Sequence, residues 1–118
     1  MGEKETKKVL VVGAGTMGHS IAQVFATAGM DVNLVDADQL MLGHAIELIT
    51  SNLDILAQSG VVKRNDIPST IGRIHTFLDL AEAAREVDFA IEAVPERADI
   101  KKGIFSQLDQ FLPQGVTI

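Results

Sequence analysis

Residues 9–22, VLVVGAGTMGHSIA, decide the fold of this chain. The apolar run at residues 9–12 is typical of a parallel strand that is covered on both of its faces. Three glycines follow it in the spacing GxGxxG, and a helical pattern begins directly after them. Because glycine is common, this spacing alone is weak evidence for a phosphate site. The flanking sequence therefore decides whether these glycines form a phosphate site.

Strand and helix patterns alternate along the rest of the chain. The patterns predict strands at residues 9–12, 32–36, 73–76 and 88–94 and helices at 38–59 and 80–85, besides the helix that runs from the glycines to Gly29. The predicted apolar face of that first helix consists of Met17, Ile21, Val24, Phe25 and Ala28, and the predicted stripe of the long helix of Leu42, Ile46, Ile49, Leu53 and Leu56. Such alternation predicts an α/β fold with a mostly parallel, doubly wound sheet.

Two further stretches, residues 61–72 and the stretch from Asp99 onward, give less clear indications of secondary structure. Residues 61–72 are hard to interpret, although Asp66 and Pro68 favour one short helix that begins there. Asp99 is expected to open another helix, and residues 116–118 resemble the beginning of a fifth strand, where the sequence stops. We therefore expect a Rossmann-type sheet that is truncated before the C-terminal part of the domain.

The position of the glycines between a strand and a helix favours a phosphate cradle. Gly13 would allow a sharp turn, Gly15 would let the backbone approach a pyrophosphate, and Gly18 would let the helix pack close to the strand. The free N–H groups at the start of that helix would then face the phosphates. The predicted pyrophosphate site is made of Gly13, Ala14, Gly15, Thr16, Met17 and Gly18.

Asp36 supplies the second half of the pattern. Dinucleotide-binding sequences carry an acid about 20 residues beyond the glycines, where it accepts hydrogen bonds from the adenosine ribose. A carboxylate there would repel a 2′-phosphate, and neither Ala37 nor Asp38 offers a positive charge to bind one, so the sequence predicts NAD rather than NADP. The alternative is that Asp36 and Asp38 only end a strand and cap a helix, and for Asp38 we expect that role.

Composition limits the other function classes. Ten basic and sixteen acidic residues among 118 give a net charge of -6, with no basic stripe, which argues against nucleic acid and anionic membranes as partners. No apolar run is expected to span a bilayer. Cysteine is absent, which fits a reducing cytoplasm. Residues 1–8 are expected to be a disordered leader, and residues 9–118 the dinucleotide-binding domain.

No catalytic or metal-binding constellation is evident in the sequence. His19, His44 and His75 are scattered and are interpreted as surface or packing residues. Metal ligation has no support, and no serine stands near a histidine and an acid in a nucleophile pattern.

Three other protein classes carry similar glycine motifs. A methyltransferase would carry an acid at the end of the first strand, and a kinase loop would be followed by a hairpin. A flavin enzyme shares the fingerprint.

Two longer segments carry a family resemblance. GAGTMGHSIAQVFATAGMDVNLVD and DLAEAAREVDFAIEAVPERADIKKGIFSQLDQFLP resemble the N-terminal NAD-binding region of the L-3-hydroxyacyl-CoA dehydrogenases, which include 3-hydroxybutyryl-CoA dehydrogenases. The resemblance implies that Asp36 binds the ribose and that Glu96 and Lys101 contact the nicotinamide end of NAD. It also implies that the main chain at Ala93 and Val94 lines the same cleft. A surface ion pair is the alternative for Glu96 and Lys101.

The resemblance also implies what the sequence lacks. Members of the family continue into a serine loop, a catalytic histidine assisted by a glutamate, and a helical domain that makes most of the dimer contact. We therefore expect this chain alone to bind NAD without turning over acyl-CoA, and the longer parent to be a homodimer in fatty acid metabolism. Lys63 and Arg64 are suggested as contacts for a CoA phosphate, and the alternative for them is a solvated basic pair. The alternatives are a freestanding NAD-binding module and a related hydroxyacid dehydrogenase.

Overall fold

A computed structural model describes residues 7–93 of the chain. The elements are β1 (Lys8–Val12), α1 (Thr16–Thr27), β2 (Asp31–Val35), α2 (Gln39–Gln58), a short 3-10 turn (Arg64–Asp66), α3 (Ile67–Gly72), β3 (Ile74–Phe77), α4 (Leu80–Ala83) and β4 (Phe89–Glu92). Each predicted strand in this part of the chain is therefore present, with ends that differ by one or two residues. The helix expected from Asp99 and the strand expected at 116–118 lie outside the described residues.

The four strands form one parallel sheet in the order β3-β2-β1-β4. Val12 is the partner of both Val35 and Glu92, and Val35 is the partner of Phe77, so all four strands end in one row. The order reverses at β1, because β2 and β4 flank it on opposite sides. In sheets of this kind, ligands bind beyond the carboxyl ends of the strands at such a reversal. The predicted doubly wound α/β class is confirmed.

Apolar cores lie on both faces of the sheet. Val9, Val11, Val32 and Leu34 are fully buried on the face that α1 and α2 cover. Alternate residues such as Leu10 and Val35 are buried on the other face, below α4. A strand whose successive side chains are buried on opposite faces needs a continuous apolar sequence, which explains the run at residues 9–12.

The buried face of α1 differs from the predicted one. Met17 and Val24 are 64% exposed, and Ala28 is also exposed, whereas Gly18, His19, Ala22 and Ala26 are buried. Ile21 and Phe25 are partly buried, as predicted. The prediction followed the largest apolar side chains, but the closest approach of α1 to β1, at Gly18, leaves no room for a side chain. The predicted face was therefore wrong at three of its five positions.

The long helix α2 matches its prediction more closely. Leu42, Ile49 and Leu53 are buried, and Ile46 and Leu56 pack partly buried against the same core. By length and mean hydropathy α2 is a candidate for a membrane span, contrary to the expectation from the sequence. A core helix of a soluble protein satisfies the same criterion, and Ile49 and Leu53 of α2 are buried in the core that this helix shares with the sheet.

Candidate cofactor site

The glycine loop lies at the carboxyl edge of the sheet. The backbone N–H of Gly13 donates to Val35 O (2.8 Å), and that of Ala93 donates to Val12 O (2.8 Å). These two bonds extend the sheet by one residue on each side of β1, so the loop begins where the strand order reverses. Gly13, Ala14 and Gly18 are buried there, whereas Thr16 and Met17 are exposed.

Gly13 and Gly18 are required by the fold itself. Gly13 has a φ of +104°, a backbone conformation that residues with a side chain rarely adopt. A Cβ on Gly18 would lie 1.7 Å from the carbonyl oxygen of Gly13 and 3.7 Å from Cβ of Ala93. The fold therefore requires glycine at both positions: Gly13 forms the sharp turn and Gly18 allows the close approach of α1 to β1, as the sequence predicts.

Within the described residues, neither backbone conformation nor packing requires a glycine at position 15. A Cβ on Gly15 would meet only the flexible end of Met41, at an ordinary 3.6 Å, and its φ of -77° suits any residue. Gly15 is also the N-cap residue of α1, and no side chain caps this helix. The N–H groups of its first turn are therefore available to an anion. A cradle that a side chain at position 15 would fill fits the pyrophosphate of a dinucleotide.

Asp36 follows the end of β2 and contacts the glycine loop. Its Oδ2 accepts a hydrogen bond from the backbone N–H of Ala14 (2.9 Å), and its Oδ1 accepts one from the N–H of Asp38 (2.9 Å). The carboxylate thus ties the loop to the second strand. Because a carboxylate has about four acceptor positions, ribose hydroxyls can still be bound beside these two donors. The separate role expected of Asp38 is confirmed: it caps α2 by accepting from the N–H of Leu40 (3.0 Å).

The other predicted cofactor contacts are described only in part. Ala93 lies at the same edge as the loop, buried beside Gly18. Val94, Glu96 and Lys101 lie outside the described residues, so their assignment to the nicotinamide end stays a prediction. Within residues 7–93, no group of three possible metal ligands occurs.

The histidines differ from one another in a way that the sequence does not reveal. His44 and His75 are exposed, and each lies near a carboxylate, Glu47 at 3.9 Å and Asp31 at 4.0 Å. His19 is only 7% exposed, and its Nδ1 lies 3.0 Å from the carbonyl oxygen of Gly15. The sequence places His19 in the first turn of the phosphate-binding helix, four residues after Gly15, but it does not specify the orientation of the ring.

Lys63 and Arg64 lie far from the glycine loop. Lys63 lines a cleft of about 450 Å³ with Thr70 and Arg73, where α1 ends and β3 begins, at the amino edge of the sheet. Arg64 forms an ion pair with Asp54 of α2. The hydrogen bond and charge of Arg64 lower the pKa of the Asp54 carboxyl. The suggested contact of these two residues with a CoA phosphate stays a prediction.

Comparison with known proteins gives one consistent result. The family model for the NAD binding domain of 3-hydroxyacyl-CoA dehydrogenase matches residues 8–118. A probable 3-hydroxybutyryl-CoA dehydrogenase of Deinococcus radiodurans is 41% identical over 108 residues, which are 90% of this chain and 38% of that protein. A probable 3-hydroxyacyl-CoA dehydrogenase of Caenorhabditis elegans is 36% identical over 88% of this chain and 36% of its own length.

Solved structures agree with this result. The (S)-3-hydroxybutyryl-CoA dehydrogenase from Ralstonia eutropha superposes with a TM-score of 0.88 and 29% identity, over 96% of this chain and 41% of that one. The chain therefore spans less than half the length of the relatives that it matches. The glycine loop, the acid after β2 and these matches together show that the chain belongs to the NAD-binding domain family of the 3-hydroxyacyl-CoA dehydrogenases.

Proposed function

We propose that this chain is the cofactor-binding part of an oxidoreductase that interconverts 3-hydroxyacyl-CoA and 3-ketoacyl-CoA. The observation that carries the cofactor site is the uncapped start of α1 at Gly15, since the fold of the described residues gives no other reason for a glycine there. NAD, when bound, supplies the hydride acceptor of the oxidation or, in its reduced form, the hydride donor of the reverse reaction. The names of the relatives support the substrate class.

The residues of this chain bind and orient the cofactor. The N–H groups of Thr16 and Met17 would hold the pyrophosphate, and Asp36 would accept hydrogen bonds from the adenosine ribose. Asp36 also fixes the N–H of Ala14, which is therefore engaged within the chain. Ala93, at the reversal of the strand order, would line the path of the dinucleotide across β1. Val94, Glu96 and Lys101 are proposed to contact the nicotinamide end.

The proposal extends to the substrate, the oligomeric state and the location of the longer parent protein. The longer parent would bind acyl-CoA, form a homodimer and act in fatty acid metabolism. The absence of cysteine and the net charge of -6 support a cytoplasmic location without nucleic acid or membrane partners. An assay of the longer protein tests the proposed reaction: NAD-dependent oxidation of a 3-hydroxyacyl-CoA supports the enzyme. Binding of NADH without oxidation of any such substrate would favour an NAD-binding protein that does not catalyse hydride transfer.

Titration with NADH and NADPH tests the cofactor assignment in this chain. The sequence contains no tryptophan or tyrosine, so nicotinamide fluorescence can be followed against little protein background. We expect saturable binding that prefers NADH. Asp36→Ala should weaken NADH binding by about 10- to 150-fold, or about 1.5–3 kcal/mol, the scale of losing strong hydrogen bonds.

A second carboxylate provides the matched control. Asp79 also follows a strand at the same edge of the sheet, and its side chain caps α4 by accepting from the N–H of Glu82 (3.0 Å). Asp79→Ala should therefore leave the affinity for NADH unchanged. Because Asp36 would repel a 2′-phosphate, its removal should also narrow the preference for NADH over NADPH. An unchanged affinity for NADH in Asp36→Ala would remove Asp36 from the site.

A further inference from the structure

His19 makes an unusual contact with the glycine loop. Its ring is buried, and Nδ1 lies 3.0 Å from the carbonyl oxygen of Gly15. The backbone N–H of the same histidine also donates to this oxygen, at 3.0 Å. Two nitrogens of one residue therefore lie within hydrogen-bond distance of one carbonyl oxygen of the loop. A carbonyl oxygen can only accept, so the ring contact is a hydrogen bond in the tautomer that carries the hydrogen on Nδ1.

The carbonyl of Gly15 belongs to the peptide that ends in the N–H of Thr16. This N–H is one of the unpaired donors at the start of α1, where an anion would bind. Hydrogen bonds to the oxygen of a peptide polarise its N–H and make it a stronger donor. They also fix the plane of the peptide. A second bond at the oxygen of Gly15 would therefore act directly on a group that contacts the phosphates.

We propose that His19 is a positioning residue for the pyrophosphate of the dinucleotide. Its Nδ1–H holds the peptide between Gly15 and Thr16 so that the Thr16 N–H is fixed and polarised before the cofactor arrives. This role rests on the proposed function of the loop as the cofactor site. The alternative is that His19 only fills space between α1 and the sheet, in which case its removal would change stability and not the affinity for phosphate.

Two substitutions of the same shape separate these roles. Threonine and valine are nearly isosteric, but only threonine can donate to the carbonyl four residues earlier. This chain contains that bond twice: Ser20 Oγ donates to Thr16 O (3.0 Å) and Thr50 Oγ1 donates to Ile46 O (2.8 Å). Both substitutions remove the ring and leave the same space. His19→Thr should restore a hydrogen bond to Gly15 O, whereas His19→Val offers no donor.

Titration of the whole chain with NADH and with ADP-ribose gives the readout. We expect His19→Val to bind both ligands up to about fivefold more weakly than His19→Thr, because the bond to Gly15 O orders and polarises the Thr16 N–H before the ligand arrives. The Tm of each variant without ligand is measured separately, since the missing bond also lowers stability. Thr50→Val, which removes the same kind of bond from α2, should bind both ligands like the unchanged chain. Equal affinities in the two His19 variants would overturn the proposal. So would a difference confined to NADH, because ADP-ribose keeps the pyrophosphate and lacks the nicotinamide.

A measurement on the unsubstituted chain keeps the test independent of folding of the variants. Nitrogen chemical shifts of the neutral His19 ring distinguish its two tautomers. We expect the hydrogen on Nδ1, and a ring that carries it on Nε2 alone would overturn the proposal. If the unsubstituted chain bound neither NADH nor ADP-ribose, the proposed function would fail instead, so the two failures are distinguishable.

Discussion

Helices α1 and α2 follow neighbouring strands onto the same face of the sheet, yet they begin in different ways. α2 begins at an aspartate whose side chain accepts from the N–H of Leu40, and α4 begins in the same manner at Asp79. α1 begins at Gly15, with no capping side chain and no acidic residue in its first turn. A side chain thus satisfies one donor at the start of α2, the Leu40 N–H, whereas no side chain satisfies any donor at the start of α1. The candidate cofactor site therefore lies at the helix start that the chain itself leaves without a cap.

Glycine substitutions in the two helices should give the largest contrast. Gly18→Ala in α1 would place a Cβ 1.7 Å from the oxygen of Gly13, so the helix must move from the strand. We expect a loss of about 3 kcal/mol or more in the free energy of unfolding. Gly43→Ala in α2 meets nothing within 4 Å and should gain about 0.5–1 kcal/mol, because alanine favours a helix. Urea unfolding measures both, and equal effects would contradict the close packing of α1.

Gly15→Ala should separate binding from stability. Its Cβ makes only an ordinary contact with Met41, so we expect a stability loss below about 1 kcal/mol, the scale of a poorer N-cap residue. Because the added Cβ would occupy the cradle, the affinity for NADH should fall by about tenfold or more, as for a loop whose second glycine admits the pyrophosphate. Titration and thermal unfolding of the same sample check both. Full affinity in this variant would mean that the loop is a structural turn only.

Asp38→Ala should show the reverse pattern. Its side chain caps α2 and is not expected to contact the cofactor, so stability should fall by about 1 kcal/mol while the affinity for NADH is retained. The measurements are the same titration and unfolding curves. A loss of affinity comparable with that of Gly15→Ala would contradict the division between the satisfied and the unsatisfied helix start.

The smallest effect is expected at the far end of α2. Arg64 lowers the pKa of Asp54, so this pair stabilises the folded chain at pH values above the usual pKa of an aspartate, and that stabilisation is lost as the pH falls through the lowered pKa. Arg64→Gln should lower Tm slightly at neutral pH, and the difference should disappear in strong acid. A Tm difference that persists in acid would assign the effect to packing rather than to the ion pair.

Much of the site could be predicted from the sequence because its signals are local. The turn at Gly13, the cap at Asp38 and the position of Asp36 depend on residue types at fixed spacings. The buried face of α1 could not be predicted from its large apolar residues, because the distance between helix and strand selected Gly18 and Ala22 for the contact. The ring contact of His19 depends on a side-chain orientation within that packed layer, which no sequence pattern specifies.

The most direct test of the unsatisfied helix start is an amide NMR titration of the labelled chain with NADH. We expect the largest shift changes at the N–H groups of Gly15, Thr16 and Met17, with the N–H groups of Gln39 and Leu40 at the start of α2 little changed. This result would place the pyrophosphate on α1. Saturable binding with unchanged amides at α1, or with equal changes at both helix starts, would contradict the assignment of the pyrophosphate to the start of α1.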